Sequence, residues 1–307
     1  MSHDAEIIAN AIAALKPTPD YLKDYIFPIS MAFFSALLGG LSALHINRRQ
    51  ELKNVTKENF IAANQLYTLA QGCLSVLISI KDSYQQDIKT DEPLARAAAF
   101  PTVYVKLDDI TFNTQTLYFI RPAPTANMNF PWKLKHKYLK IVIKQPSHEE
   151  LRISWRNTVR INNMFYNYNH VMGLIRARNP VNEDVKHKVS QGRPGLLKGV
   201  SLAEVQKALG EHICGHYVEI TEAIITTIDY VISELHLFLV EFPAIAESNI
   251  ELSRIREMGR FPKYENKQES FLQSLIPIMK PDYKKFAEYT GEPEEKLRKK
   301  YTYGDAE

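Results

Sequence analysis

The sequence predicts a mainly α-helical protein with one N-terminal transmembrane helix, a cytoplasmic long-helix bundle behind it, and a small β or irregular insertion around residues 100–145. Three observations predict this class. Residues 26–44 carry no charged side chain, apolar residues recur elsewhere at three- and four-residue spacing, and several prolines fall between residues 100 and 145. The 45% share of hydrophobic residues is that of an ordinary globular domain.

The uncharged run at residues 26–44, IFPISMAFFSALLGGLSAL, predicts a helix that spans a bilayer. A hydrocarbon core about 30 Å thick needs roughly 20 apolar residues, and the run reaches that length when it is extended to Ile46. The alternatives are a buried core helix, which would show a polar stripe, and a signal peptide, which has a shorter run behind a positive segment. We expect a retained transmembrane helix at 26–46, in contact with the lipid bilayer and preceded by a short amphipathic segment at 1–25.

The positive residues beside this run predict its orientation, because Lys and Arg close to a span resist translocation. Four cations follow the run and two precede it: Arg48, Arg49, Lys53 and Lys57 against Lys16 and Lys23. We therefore expect a single-pass protein of a bacterial inner membrane, with the N-terminus outside and the C-terminal domain in the cytoplasm. The two cysteines, Cys73 and Cys214, are far apart in sequence and suit a reducing compartment.

Small residues within the span recur every four positions in two adjacent rows: Ala32, Ala36 and Gly40, and Ser35, Gly39 and Ala43. This spacing lets helix backbones approach closely in lipid, where packing drives association. It predicts a homo-oligomer, although Gly and Ala are also common in spans that do not associate.

Helix signals divide the polar part of the chain into a bundle at 47–265 and short helices with a tail at 266–307. The first helix is expected to continue from the span to about residue 89, with one apolar stripe. Capping boxes at Ser147 and Ser201 predict two more helices, ending before Pro180 and Pro243 respectively. A further helix is expected at 244–258, a loop at 180–200, and short helices at 268–279, 282–290 and 294–301.

The insertion at 100–145 is expected to hold short strands at 102–107, 111–120 and 138–144, where β-branched or aromatic residues lie between prolines. A small sheet and an irregular segment are both compatible with this pattern.

A basic block occupies residues 110–182, which contain eleven Lys and Arg but only two acids. The candidate anion-binding residues are Lys133, Lys135, Lys137, Lys140, Arg152, Arg156 and Arg160. Near a membrane such a block attracts anionic lipid headgroups, and the interleaved Trp132 and Tyr138 also suit stacking on nucleic acid or a nucleotide. The structural alternative is a solvated face that complements acids such as Glu219 or Glu222 on a neighbouring helix.

One group of residues has the spacing of metal ligands. His212 and His216 share a helix face, and Glu219 lies one turn further on. The position after the first His is Ile213, not the Glu of a metalloprotease, so hydrolytic zinc chemistry is not indicated. The alternative is a pair of polar contacts within the bundle. We expect no cofactor, and the sequence offers no evident catalytic site.

Several features together resemble a loose class of bacterial single-pass membrane proteins that often lie on prophages or mobile elements. These features are a span ending in Arg48 and Arg49, a long first helix, a short strand through 109–112 and 117–119, and a helix that closes at Arg178-Asn179. The resemblance covers most of residues 26–180 and implies a role in phage–host conflict or membrane signalling. It carries over no catalytic residue.

Two function classes follow from these patterns. The first is a membrane-anchored, self-associating scaffold, sensor or effector, with a possible protein partner encoded by a neighbouring gene. The second is a membrane-tethered enzyme or binding module that acts on RNA, nucleotide or anionic lipid through a cationic helix face.

Overall fold

The computed structural model describes residues 3–14, 21–104, 108–121, 146–191 and 201–302. Helices dominate these ranges, and no strand occurs in them. The helices are α1 (His3–Ala14), α2 (Phe27–Asp82), α3 (Pro93–Ala99), α4 (His148–Ile153), α5 (Thr158–Gln191), α6 (Leu202–Asn249), α7 (Glu269–Ser274), α8 (Tyr283–Thr290) and α9 (Glu294–Lys300). The chain forms two compact units, residues 1–55 and residues 56–307. The helical bundle predicted from the sequence is therefore confirmed.

The first unit contains α1, a single π-helical turn at Leu22–Ile26, and the first part of α2. None of the residues of α1 is buried, and its isoleucines Ile7, Ile8 and Ile12 are exposed. The apolar run of α2 lies in this unit and is also exposed. The first unit thus has no core of its own among the residues that the structure describes.

The second unit is built around the rest of α2 together with α5 and α6. From Phe60 to Ile80 the buried residues of α2 recur at three- and four-residue spacing, which places them in one stripe on one face of the helix. This stripe packs into a core with residues of α5 such as Ile175 and residues of α6 such as Leu235, both fully buried. A second cluster joins the start of α6 to α8 and α9 through Tyr217, Phe286 and Leu297.

Two prolines that were expected to end helices instead lie inside them. α5 continues through Pro180 to Gln191, and α6 continues through Pro243 to Asn249. A proline inside a helix removes one backbone hydrogen bond, at a cost of roughly 3 kcal/mol. Burial offsets this cost, because Asn182 and Val185 beyond the first proline and Ala246 beyond the second are buried. The separate helix predicted at 244–258 is therefore wrong, because residues 244–249 are the end of α6. The residues after Asn249 form only short 3-10 turns, Leu252–Arg254 and Arg256–Met258.

Two other helices are shorter or more broken than the sequence predicted. The helix expected from Ser147 to about residue 179 is interrupted at 154–157, between α4 and α5, where Trp155 is fully buried. Ser147 and Ser201 do cap α4 and α6 with complete capping boxes. Gly210 has φ of +73°, a value that glycine adopts without strain, and kinks α6 near its start. The short C-terminal helices α7, α8 and α9 fall within the predicted segments.

The described part of the insertion is irregular. Residues 101–104 and 108–113 have no regular structure, and Thr114–Leu117 is one 3-10 turn, so the expected strand at 111–120 is wrong. Side chains of α5 hold this segment by its backbone: Asn179 pairs with both the N–H and the C=O of Val103, and Asn169 pairs in the same way with Ile110. Polar side chains therefore supply the bonds that a second strand would have made. The predicted strand at 138–144 lies outside the described residues.

Candidate functional site

The apolar run of α2 is exposed on all its sides within the described structure. None of its most apolar 18-residue window is buried. Its large side chains, from Ile26 to Ile46, are each between 46% and 68% exposed: Ile26, Phe27, Ile29, Met31, Phe33, Phe34, Leu37, Leu38, Leu41, Leu44 and Ile46. A core helix would bury one face against its own domain. The run therefore requires an apolar medium or a partner to cover it.

A second helix, α6, is also long and apolar enough to cross a membrane. Half of its apolar window is buried inside the second unit, and residues such as Val231, Leu235 and Leu239 are fully buried there. Its apolar character is explained by the core that it forms. The two helices thus meet the same criteria of length and composition. They differ in burial, because the apolar window of α2 is fully exposed and that of α6 is half-buried.

The two rows of small residues lie in this exposed run. A Cβ atom added at Gly39 or Gly40 would meet nothing within 4 Å, so no other described part of the chain packs there. The face built by Ala32, Ala36 and Gly40 is open to a second helix. Self-association itself stays a prediction.

Four charged side chains form a buried charge cluster in the second unit: Lys81, Arg96, Glu222 and Asp229. The first three are at most 1% exposed, and Asp229 is 11% exposed. Arg96 donates to Glu222 through two parallel hydrogen bonds, Nε–Oε1 at 2.6 Å and Nη2–Oε2 at 2.9 Å. Lys81 Nζ lies 2.6 Å from Asp229 Oδ1. Each cation of this cluster is therefore matched by a carboxylate, which offsets the cost of removing the charges from water.

The same side chains bind the backbone of residues 276–279. Lys81 donates to the carbonyl of Ile276 at 2.6 Å, and Arg96 Nη1 donates to the carbonyl of Met279 at 2.7 Å. Asp229 Oδ2 accepts the N–H of Ile278 at 2.8 Å. The cluster thus fixes the irregular segment between α7 and α8 against α6.

Burial dominates the electrostatics of the two carboxylates. It raises the pKa of Glu222 above its usual range, and Arg96 opposes this rise. Burial also raises the pKa of Asp229, with Lys81 acting in the opposite direction. Tyr84 packs beside the cluster, 4.5 Å from Phe100 between ring centroids, and burial raises its pKa well above the ordinary value. Its hydroxyl group has no hydrogen-bond partner among the described residues.

Arg178 is fully buried without a carboxylate partner. Its guanidinium donates to the carbonyls of Ala97 and Phe100 at 2.8 and 2.9 Å, and to the hydroxyl of Thr221 at 2.8 Å. Burial lowers its pKa to about 10. The carbonyls lie at the C-terminal end of α3, where the helix dipole favours a cation, so Arg178 acts as a cap for α3.

A cleft of about 350 Å³ opens between α6 and residues 277–281. Arg96 and Asp229 line it together with aromatic and apolar side chains, which include Tyr230, Tyr283 and Leu237. Its volume is at the lower end of the range of small-molecule sites. Two of its charged lining residues, Arg96 and Asp229, already pair with Glu222 and Lys81 respectively.

Arg152, Arg156 and Arg160, which the sequence placed on one predicted helix as part of a cationic face, do not share one helix in the structure. Arg152 lies on α4 and pairs with Glu149, and Arg156 lies in the interruption and donates to the carbonyl of Arg121 and to Ser248. Arg160 pairs with Glu234 of α6 through two hydrogen bonds and stacks on Trp155, 3.8 Å from the ring centroid. Of the three arginines, Arg160 does pair with an acid on a neighbouring helix, but that acid is Glu234 rather than Glu219 or Glu222. The remaining anion-site candidates, Lys133, Lys135, Lys137 and Lys140, lie outside the described residues.

The predicted metal ligands lie near the start of α6. His212 and His216 are both exposed. Glu219 is engaged by Lys300 of α9 at 2.6 Å. No group of three or more His, Cys, Asp or Glu that could hold a metal occurs in the described ranges. The metal site therefore stays a prediction from the sequence alone.

Sequence reasoning missed the buried charge cluster. A signal was present, because Glu222 and Asp229 occupy positions of the apolar stripe of α6, seven residues apart among Ile225 and Ile232. A charge on a buried stripe implies a buried counter-charge. The partners Lys81 and Arg96 are more than 120 residues away and could not be paired from spacing.

Comparisons with known proteins assign no class to this fold or site. No protein-family model, no curated protein and no solved structure matches the chain. The resemblance to phage-borne membrane proteins stays a prediction from the short motifs that suggested it.

Proposed function

We propose that this protein is a membrane-anchored helical module, in which the span at 26–46 holds the second unit at one face of a bilayer. The single observation that carries the proposal is the exposure of the apolar run of α2 along its whole length. Exposed apolar patches of this size are rare on soluble monomers, and lipid is the medium that covers them at lowest cost. The proposal includes the predicted orientation, with the N-terminus outside and the second unit in the cytoplasm.

Membrane fractionation of cells that express the full chain tests the anchor. The wild-type protein should stay in the pellet after alkaline carbonate extraction, because its span is integral. A Phe34→Arg, Leu38→Arg variant should move largely to the soluble fraction or be degraded, since each central charge costs about 2.5–3.5 kcal/mol of insertion free energy. A Phe34→Leu, Leu38→Ile variant is the matched control and should behave as wild type. Wild-type protein in the supernatant would contradict the proposal.

The orientation is tested by reporter fusions. Alkaline phosphatase at the N-terminus should be active, and a fluorescent protein at the C-terminus should fold and fluoresce, because the first requires export and the second fails after unfolded export. The opposite pattern would reverse the topology while leaving the anchor in place.

We also propose that the module works as a self-associating scaffold, sensor or effector, in agreement with the first function class from the sequence. The open face at Gly39 and Gly40 supports the self-association that this class requires. Energy transfer between labelled copies in bilayers should report association. A Gly39→Leu, Gly40→Leu variant should lose most of it, whereas Leu41→Ile should not. A wild-type protein that is monomeric at every lipid dilution would rule out self-association.

A further inference from the structure

One face of α5 is exposed and carries no charge over about six turns of the helix. At roughly 100° per residue, its members fall within an arc of about 100°. We call them the neutral stripe: Val159, Asn162, Asn163, Tyr166, His170, Gly173, Ala177 and Pro180. All are exposed except Gly173, which is half-buried, and Tyr166 is 68% exposed. The solvent face of a helix usually carries charged residues, so this face differs from an ordinary surface.

The charges nearest to the neutral stripe lie beside it and are already matched. No charged residue occurs from 161 to 175. Arg160 and Arg176 fall outside the arc, and they pair with Glu234 and Asp109 respectively. The centres of protein–protein interfaces are depleted of charged residues and enriched in Tyr. The composition of the stripe is therefore that of an interface.

Four polar side chains of the neutral stripe are available to a partner. Asn162, Asn163, Tyr166 and His170 form no side-chain hydrogen bond with any residue in the described ranges. An amide, a phenol and a neutral imidazole each contain both a donor and an acceptor. A stripe of such groups can therefore pair with a copy of itself, whereas a stripe of like charges would repel its copy.

The order of the side chains along the stripe is also self-complementary. In an antiparallel pair of identical helices related by a two-fold axis, the numbers of facing residues add up to a constant. With the axis between residues 169 and 170, Tyr166 faces Gly173 of a second copy, and Asn162 faces its Ala177. The larger side chains of one half thus meet the small residues of the other half. A Cβ atom added at Gly173 would meet nothing within 4 Å, so the space above this residue is open to a tyrosine ring.

We propose that the neutral stripe is a contact between two copies of this chain, with their α5 helices antiparallel. The stripe is about 32 Å long and about 10 Å wide, so it buries roughly 300 Å² per copy, well below the ~800 Å² of a stable interface. The contact therefore forms where the span holds copies at high local concentration in a bilayer, and it dissociates in dilute detergent. This inference rests on the proposed self-association and adds the surface through which the second units of two copies meet.

Cysteine cross-linking of the full chain in lipid vesicles tests the contact and its register. A Tyr166→Cys chain is mixed with a tagged Gly173→Cys chain, and the mixture is oxidised with copper phenanthroline. A mixed dimer should form, because the two positions face each other within disulfide distance. Each chain alone should give about fivefold less dimer, since its own two cysteines are offset by about 10 Å along the helices. The native Cys73 and Cys214 are buried and stay in place.

Two comparisons control the cross-linking. A Lys284→Cys chain, changed at an exposed position of α8, should form no dimer with either partner. A parallel pair of α5 helices would link each position to itself and would give no mixed dimer, so that pattern would contradict the proposal.

Charges placed beside the axis give a second readout. His170 lies next to the axis, so His170→Glu on both cysteine chains brings two like charges together and should lower the yield of mixed dimer about fivefold. His170→Arg on both chains should have the same effect. His170→Glu on one chain and His170→Arg on the other should restore the yield, because opposite charges then meet. Restoration would show that the separate losses do not come from misfolding.

The outcomes distinguish this inference from the proposed function. Wild-type copies that show energy transfer in bilayers, but give no mixed dimer above the Lys284→Cys level, would overturn the antiparallel contact and leave self-association in place. Equal yields for the like-charged and the oppositely charged His170 pairs would also overturn it. Wild-type protein that is monomeric at every lipid dilution would remove self-association itself, and the inference with it.

Discussion

At the scale of single residues, the stability of the second unit depends on buried charged side chains that need partners. Arg96 and Glu222 are buried together, and Arg178 has only carbonyl, hydroxyl and aromatic partners. A buried charge costs several kcal/mol unless it is matched, so each of these residues depends on the geometry of its neighbours. Gly215 is constrained by packing rather than by charge, because the backbone of α8 lies close to it.

Removing one partner of the Arg96–Glu222 pair should be more damaging than removing both. Arg96→Met or Glu222→Leu should each lower the free energy of unfolding by about 3–5 kcal/mol, because an uncompensated charge stays buried. The double variant should recover much of the loss. Thermal unfolding of the detergent-solubilised chain, followed by circular dichroism, measures the coupling. Strictly additive losses would show that the pair does not act as a unit.

Gly215 should not tolerate a methyl group. A Cβ atom there would clash with the backbone carbonyl of Tyr289 in α8, which cannot move as a side chain would. Gly215→Ala should therefore cost about 1–3 kcal/mol of stability. Gly173→Ala on α5 is the control, since its Cβ meets nothing within 4 Å and should stabilise the helix by up to about 1 kcal/mol. Equal melting temperatures for the two variants would refute the close approach.

At the scale of elements, the described part of the insertion is irregular, the second of the two alternatives that the sequence allowed, and α5 supplies backbone hydrogen bonds that a small sheet would have made. Asn179 and Asn169 of α5 each pair with both backbone groups of one residue, Val103 and Ile110 respectively, so these two residues are held without being in a strand. The prolines within α5 and α6 show a second effect at this scale. Burial of the residues beyond each proline outweighs the local preference of proline to end a helix.

Loss of one asparagine should free the segment that it holds. Asn169→Ala removes the two 2.8 Å bonds to Ile110, so the Ile110 amide should exchange its hydrogen at least tenfold faster. Proteolysis within residues 108–113 should rise as well. Asn162→Ala, at an exposed position of the same helix, is the control and should change neither quantity. Unchanged exchange at Ile110 in the Asn169 variant would show that the apolar contacts of the segment hold it alone.

At the scale of the whole molecule, the two units have different requirements. Residues 56–307 contain both hydrophobic clusters, whereas the first unit exposes the apolar run. The second unit buries its own core, whereas the described residues provide no cover for the apolar run of the first unit.

The second unit should therefore fold without the first. A fragment of residues 56–307 should be helical and should melt in one cooperative transition in water without detergent, because its core is complete. Circular dichroism and size exclusion check both points. Aggregation of the fragment, or a non-cooperative melt, would show that residues 1–55 contribute to its fold.

Sequence by itself determined the helical class, the apolar run at 26–46, the stripe of α2 and the capping boxes at Ser147 and Ser201. These features depend on periodicity and on contacts within four residues, which a linear pattern records. Only the tertiary structure decided that α5 and α6 pass through Pro180 and Pro243, that the insertion is held by asparagines, and that the acids of α6 meet Lys81 and Arg96. Those outcomes depend on burial and on partners far away in sequence, whose energies exceed the local preferences that the sequence shows.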